Sequence, residues 1–269
     1  MAPPSIIASA PSPSPTALLF KKCAAEAMGT GTIVLLGCGS VCSAKYLGSG
    51  LSLGGMSIIW GSAVALAVYA TRDFSGANLN PAVTAALAFH RPEAVPLTLA
   101  VPYVLAQTAG ASIAAALNYA VFKKAIAAYE VKEGLPLRGK PGSYVSAAGA
   151  FGLIHNPSFL RPRGAFGAEV LATSMLSYLI FALTDKDTTV PSSAAPALIG
   201  VSVTTLVAVF GPVTGAGMNP ARDLGPRLVS ALAGWKGAAL TGLPIYTFGP
   251  VLGAILGAGA FDLLKSIKD

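Results

Sequence analysis

Residues 76–82 read Gly-Ala-Asn-Leu-Asn-Pro-Ala, and residues 215–221 read Gly-Ala-Gly-Met-Asn-Pro-Ala. The two stretches agree at five of seven positions. A lone acid precedes each stretch in an otherwise apolar segment, since Glu26 lies 54 residues before the first Asn-Pro pair and Glu169 lies 50 residues before the second. The match therefore extends beyond the short motif and indicates an internal repeat.

The composition places this repeat in a membrane. Of the 269 residues, 54% are hydrophobic and 11% are charged, whereas soluble domains carry about 25% charged residues. Six apolar segments reach the roughly 20 residues that a bilayer span needs. Four are free of charge, namely 46–71, 94–122, 188–221 and 237–261. The other two, 22–44 and 164–184, each contain a single glutamate, and the first of them begins at Lys22. An all-α protein with six transmembrane helices is predicted.

Three spans in each half force the second half to insert upside down relative to the first. Residues 80–90 and 219–233 begin at the two Asn-Pro pairs and are mostly apolar but too short to cross. Asparagine is a preferred N-cap and proline is favoured at the first helical position, so each Asn-Pro pair predicts a helix start. We therefore expect two re-entrant half-helices that meet at mid-membrane. The alternative is that Asn-Pro-Ala is a simple loop turn.

The predicted domain organisation is a single membrane domain behind a short tail. Residues 1–16 are rich in Pro, Ser and Ala and carry no charge, a composition that does not support a packed core. They are interpreted as a disordered tail. Residues 17–269 form the membrane domain, with one repeat over about 17–123 and the other over about 164–266.

The net charge of +7 arises largely from basic loop residues. These residues lie on both sides of the predicted spans, so they do not decide the orientation. They are not interleaved with aromatic residues as in single-stranded nucleic-acid binding, and no nucleic-acid partner is predicted. The three cysteines have neither disulfide nor zinc spacing and are interpreted as packing residues: Cys23, Cys38 and Cys42. No metal site and no cofactor is predicted.

At these motifs the sequence resembles the major intrinsic proteins, the aquaporins and aquaglyceroporins, over roughly residues 20–265. The resemblance is carried by Ala25-Glu26 with Gly29-Thr30, Ser75 to Thr84, Gly167 to Asp185 and Gly217 to Arg227. It implies a right-handed bundle of six helices with a pore in each monomer, assembled as a homotetramer in the lipid bilayer. It also implies a channel rather than an enzyme. We expect a plasma-membrane protein with both termini on the cytoplasmic side.

The resemblance assigns the pore centre to the two Asn-Pro-Ala motifs: Asn80, Pro81, Ala82, Asn219, Pro220 and Ala221. Each asparagine amide carries two N–H donors, so the pair is able to orient a water or hydroxyl oxygen. The positive helix ends behind the amides repel cations and protons. This combination predicts passage of water and neutral solutes, although both asparagines also serve as helix caps.

An arginine at membrane depth is costly, so a functional role is the default interpretation for Arg222. In the resemblance it belongs to a filter with Trp60, Val207 and Ala216. Trp60 alone would more often be a core aromatic residue, but it lies 20 residues before Asn80, as in glycerol-conducting members. One flat apolar wall, two aliphatic residues and one forked donor suit a polyol such as glycerol.

Three acidic residues outside the filter, one of them paired with an arginine, complete the expected supports. Asp223 with Arg227 resembles the aquaglyceroporin branch and is able to brace the loop as an i, i+4 pair. Glu26 and Glu169 are expected to accept hydrogen bonds from the re-entrant backbone, because buried charges require partners. A proton relay through these glutamates is the alternative.

Two features depart from the glycerol-channel pattern. Asn78 stands where histidine is usual, and Tyr246-Thr247 replaces a Pro-Leu type pair. The filter also resembles that of plant nodulin-like intrinsic proteins, some of which pass glycerol or ammonia. The favoured function is passage of glycerol, similar small neutral solutes and water, with ions and protons excluded. The alternatives are a mainly water-selective aquaporin, an ion-coupled secondary transporter and a non-transporting structural protein.

Overall fold

The computed structural model describes residues 14–268, in which all regular structure is helical. Six helices are long and apolar enough to cross a membrane. Two shorter helices follow the two motifs, as predicted. The α-helices are α1 Pro15–Leu47, α2 Leu53–Ser75, α3 Pro81–His90, α4 Leu97–Lys132, α5 Pro162–Thr184, α6 Ala195–Thr214, α7 Pro220–Ser230 and α8 Leu243–Lys268.

The two short helices begin as the sequence predicts. The Asn80 side chain caps α3 by accepting from the Ala82 N–H at 2.8 Å. The Asn219 side chain caps α7 by accepting from the Ala221 N–H at 3.0 Å. A proline occupies the first position of each helix, where its missing N–H costs no hydrogen bond. The simple-turn alternative is therefore wrong for both motifs.

The long helices pack in the same way in each half. Helix α1 packs against α4, the repeat-equivalent α5 packs against α8, and α2 packs against α6 between the halves. Glycines allow the close crossings: a Cβ on Gly110 would collide with the Ala27 carbonyl, and one on Gly257 with the Ser174 carbonyl. Gly253 likewise faces Val170. The glycines at four-residue spacing in α8 thus pack inside the monomer.

The described ends of the chain lie at one end of the bundle. Lys21 near the start of α1 lies over the Phe74 ring at the end of α2. Arg72 of α2 donates to the Ser192 carbonyl in the loop between α5 and α6. The start of that loop is bound by Lys265 near the end of α8. At the opposite end, residues 133–161 fold over the bundle between α4 and α5.

The structure extends two predicted boundaries. Helix α1 begins at Pro15, capped by the Ser14 side chain, so the last two residues of the predicted tail are helical. Residues 1–13 of that tail lie outside the described residues. Helix α4 has 36 residues, which at about 1.5 Å per residue is longer than the hydrocarbon core. Its charged end therefore projects beyond the membrane.

Candidate pore and selectivity filter

A cavity of about 670 Å³ runs through the middle of the bundle. Both motif asparagines line it, as do all four residues that were predicted to form the filter. The cavity continues to a mouth lined by Arg72, Asp185 and Lys186, at the end of the bundle where the described chain ends lie. The bundle therefore contains a path from that mouth to the level of Arg222.

The two half-helices are joined by a reciprocal pair of hydrogen bonds. The Asn80 Nδ2 donates to the Met218 carbonyl at 2.8 Å, and the Asn219 Nδ2 donates to the Leu79 carbonyl at 2.9 Å. Each amide thus uses one N–H group for a hydrogen bond to the opposite half of the chain. Because a primary amide carries two N–H donors, one donor of each asparagine is left for the cavity that both residues line.

The segments before the two asparagines share an unusual backbone. Ala77 and Leu79 both have φ of 54°, and Ala216 and Met218 have φ of 52° and 49°. This left-handed region is sparsely populated by residues other than glycine and persists only when surrounding contacts impose it. We name residues 76–79 the first pore loop and residues 215–218 the second pore loop.

The two predicted glutamates hold these loops. Glu26 accepts from the Asn78 N–H at 2.9 Å and from the Leu79 N–H at 2.7 Å. Glu169 accepts from the Gly217 and Met218 N–H groups, both at 2.9 Å. Both acids are fully buried. Their carboxylates are bound to loop backbone, which is the arrangement that the scaffold interpretation requires.

The residues that were predicted to form the filter include a stacked pair. The Arg222 guanidinium carbon lies 4.3 Å from the centroid of the Trp60 ring, within the range of a cation–π interaction. The ring packs against Gly37 of α1, where a Cβ would overlap it. Arg222 is 4% exposed, and its Nη1 has no hydrogen-bond partner among residues 14–268. A forked donor with an unused N–H group is thus held beside an apolar ring.

Asp223 and Arg227 lie behind the filter rather than in it. The Arg227 Nε donates to Asp223 Oδ2 at 2.6 Å, and both side chains are buried. Asp223 accepts from the Leu153 N–H at 2.8 Å, while the Arg227 Nη2 donates to the Leu153 carbonyl. Arg227 also binds the Ala239 carbonyl at 2.7 Å. The pair clamps the α4–α5 loop, as the bracing interpretation predicts.

The sequence analysis missed a polar group behind the first pore loop. The Gln107 Nε2 donates to Glu26 Oε2 at 2.7 Å and to Thr84 Oγ1 at 2.9 Å. Thr84 also accepts from the Asn78 Nδ2 at 3.3 Å. A glutamine in the middle of an apolar span was the available signal, because polar residues inside a membrane are costly and usually partnered.

The mouth of the cavity is crossed by the loop between α5 and α6. Lys265 of α8 binds Asp185 Oδ1 at 2.8 Å and Asp187 Oδ2 at 2.7 Å. The hydrogen bond from Lys265 lowers the pKa of the Asp185 carboxyl below its usual value. Asp185 therefore stays ionised at neutral and mildly acidic pH, and the loop stays tied to α8.

Comparison with known proteins places this architecture in a family. The family model described as major intrinsic protein matches residues 14–261. A glycerol uptake facilitator protein of Haemophilus influenzae is 42% identical over 251 residues, covering 89% of this chain and 92% of that protein. The glycerol uptake facilitator protein of Escherichia coli is 40% identical over 264 residues, covering 93% and 90%.

Two further comparisons cover the same length of chain. A propanediol uptake facilitator of Salmonella typhimurium is 38% identical over 250 residues, covering 90% of this chain and 93% of that protein. Among solved structures, the aquaglyceroporin from Plasmodium falciparum superposes with a TM-score of 0.80 at 23% identity, covering 93% of this chain and 98% of that chain. That likeness establishes the shared fold. On the family match and these relatives, the chain belongs to the major intrinsic protein family.

Proposed function

We propose that this protein is a passive membrane channel for glycerol, other small neutral solutes and water, and that it excludes ions and protons. The observation that carries the proposal is the stacked pair at the constriction. Arg222 offers an unused N–H beside the flat face of Trp60, and both residues line the cavity. The relatives named for glycerol and propanediol uptake support a polyol as the solute.

A polyol has two unlike sides, and so has this constriction. Its carbons slide over Trp60 and the aliphatic Val207, while its hydroxyl groups accept from Arg222. Deeper in the cavity, the free N–H groups of Asn80 and Asn219 donate to the next hydroxyl oxygen. The hydrogen bonds that the solute gives up when it leaves water are thus replaced one at a time along the path. This keeps the energy barrier to passage of a neutral solute low.

Charge exclusion has a separate origin. The N-termini of α3 and α7 both point at the place where the two half-helices meet, and each carries a partial positive charge. Arg222 adds a full charge at the constriction. A cation that loses its water shell there meets positive potential from three sources. The two asparagine donors orient the water molecule at the centre of the path. In that orientation it does not pass a proton along the chain of water molecules.

The alternatives are weaker on particular observations. An ion-coupled transporter needs acids that coordinate the ion near mid-membrane, but Glu26 and Glu169 are occupied by loop N–H groups. A water-selective filter typically carries a histidine in place of Val207. Among the described residues that line the cavity, none is a histidine.

The assembly and location are part of the proposal. We propose a homotetramer in the plasma membrane with both termini on the cytoplasmic side, in which each monomer keeps its own pore. Large apolar side chains exposed on the helices support burial in lipid or against other subunits, among them Ile58, Leu66, Leu171 and Val201. Because each monomer encloses its own path, the subunit contacts contribute to stability rather than to conduction.

The test is flux through purified protein in liposomes. Stopped-flow light scattering measures water and glycerol permeability, and a voltage step measures proton and potassium current in the same vesicles. Fast, non-saturating glycerol flux without current is expected. Saturable flux that depends on a proton or sodium gradient would support the transporter instead, and water flux without glycerol flux would support the water-selective alternative.

A further inference from the structure

Two buried tyrosines occupy repeat-equivalent positions beside the pore loops. The Tyr103 hydroxyl in α4 donates to the Ser75 carbonyl at 2.7 Å, and the Tyr246 hydroxyl in α8 donates to the Thr214 carbonyl at 2.8 Å. Both side chains are 0% exposed. Ser75 and Thr214 are the last residues of α2 and α6, so each tyrosine binds the backbone where a pore loop begins.

Each pore loop is therefore fixed at two places. The glutamate holds the end of the loop through backbone N–H groups, and the tyrosine holds the beginning through a backbone carbonyl. At the beginning the side-chain hydroxyls of Ser75 and Thr214 also accept from the N–H two residues on, at 3.1 and 3.2 Å. Between the two fixed places lie non-glycine residues with positive φ, which revert to ordinary conformations unless the ends are held.

The two tyrosines differ in what their loops carry. The second pore loop contains the filter residue Ala216 and leads directly to Arg222, whereas the first pore loop contains no filter residue. Tyr246 also lies under the second loop itself, since a Cβ on Gly217 would come 2.8 Å from its ring. The loop that Tyr246 holds therefore contains a predicted filter residue, whereas the loop that Tyr103 holds does not.

We propose that Tyr246 is a positioning residue for solute selectivity: its hydroxyl fixes the start of the second pore loop and thereby the position of Ala216 in the filter. Tyr246 lies outside the cavity lining, and its hydroxyl acts through the Thr214 carbonyl. Its presence in place of a proline was, at the level of sequence, a departure from the glycerol-channel pattern. In the structure, the tyrosine hydroxyl at this position binds the backbone where the second pore loop begins.

The experiment compares Tyr246→Phe with Tyr103→Phe, because each substitution deletes one buried hydroxyl from an equivalent position. Permeabilities to glycerol and to erythritol, a polyol with one more carbon, are measured by light scattering on vesicles of matched protein content. For Tyr246→Phe the erythritol-to-glycerol ratio is expected to rise by up to about fivefold, the equivalent of one net hydrogen bond. Tyr103→Phe keeps the parent ratio, while both variants lose similar thermal stability.

The outcomes separate selectivity from general support. An unchanged ratio in Tyr246→Phe overturns the inference, and so does an equal shift in both variants, because a merely structural tyrosine would act alike in either repeat. The inference rests on the proposed glycerol conduction. Failure of that function appears as a parent protein without glycerol flux, whereas failure of the inference appears as a conducting parent whose ratio Tyr246→Phe does not alter.

Discussion

At the scale of single residues, Arg222 carries the one full charge among the four filter positions. It is nearly buried and stacks on Trp60 with an N–H group left unpaired. Burying a charge is costly unless it is partnered, so a residue kept in this state has a use other than packing. Its neighbour Arg227, which makes four hydrogen bonds to protein groups, is the structural counterpart.

Replacing Arg222 with valine removes both the charge and the hydrogen-bond donors of the predicted filter. Arg222→Val is expected to raise proton current under voltage and to alter the glycerol-to-water permeability ratio, because the positive charge and the forked donor are both removed. Electrical recording and light scattering on the same vesicles provide the two readouts. A folded variant with parent-like proton leak and parent-like solute selectivity would remove Arg222 from the filter.

The paired substitution Val207→His with Ala216→Cys tests the size of the same constriction. Histidine adds bulk and a polar nitrogen where an aliphatic wall now faces the carbons of the solute. Glycerol must fit its backbone through that section, whereas a water molecule only exchanges hydrogen bonds. We expect glycerol permeability to fall much further than water permeability. Equal losses, or untouched glycerol flux, would mean that these residues do not line the selective section.

Site residues that carry a local pattern, or that recur in both halves as Glu26 and Glu169 do, were predicted from the sequence, whereas other residues that act at a distance were not. The Asn-Pro pairs mark helix starts by local chemistry, and Arg222 follows one of them directly. Gln107 and Tyr103 lie in α4 and bind groups of α1, α3 and the end of α2. No spacing along the chain encodes those contacts. Tyr246 was seen only as a departure, because its partner Thr214 lies 32 residues away.

At the scale of helices, close crossings at glycines set the shape of each half. Gly110 lies against Ala27 where α1 crosses α4, and Gly257 lies against Ser174 where α5 crosses α8. Small residues allow such approach where lipid supplies no hydrophobic driving force between helices. The helices that carry Glu26 and Glu169 are thereby held at the depth of the pore loops.

A single methyl group is enough to test a crossing. In Gly257→Ala the new Cβ meets the backbone carbonyl of Ser174, which has no room to move, and overpacking of this kind costs about 1–3 kcal/mol. Gly167→Ala in α5 is the matched control, since nothing lies within 4 Å of its Cβ and alanine favours a helix by about 0.5–1 kcal/mol. Thermal unfolding in detergent is expected to show a loss for the first and none for the second. Equal midpoints would contradict the crossing.

Charge and apolarity predicted that the spans exist, but not where each helix ends. The uncharged stretch 188–221 contains α6, which begins only at Ala195 and ends at Thr214. Its other residues form the mouth loop and the second pore loop. Apolar composition does not distinguish a helix from an extended loop that is buried in protein. The bounds are decided by caps and by tertiary contacts such as that between Arg72 and Ser192.

At the scale of the whole molecule, each monomer encloses its own path and exposes apolar helix faces around it. The tetramer is expected to add stability without adding a conducting site. Native mass spectrometry of protein released from mild detergent is expected to give four chains, with permeability per chain unchanged when the protein-to-lipid ratio of the vesicles is lowered. A monomeric mass at full activity would contradict the proposed assembly.

The reciprocal bonds between the two halves have a consequence for biosynthesis. The ribosome delivers residues 14–132 to the membrane before α7 exists. At that time the Asn80 amide and the Leu79 carbonyl lack the groups that bind them in the finished protein. In hydrocarbon an unpaired backbone or amide group costs several kcal/mol. We therefore expect the first re-entrant segment to wait at the aqueous surface until the second half has been translated.

Arrested nascent chains test this order of insertion. Leu79→Cys, in a background with the three native cysteines replaced by alanine, is labelled by a membrane-impermeant maleimide from the side of the pore mouth. Chains stopped at residue 161 should react, whereas full-length chains, in which position 79 is 2% exposed, should be protected. Protection in both would show that the early segment inserts alone. In the expected order, the part of the channel that is synthesised early reaches its final place late.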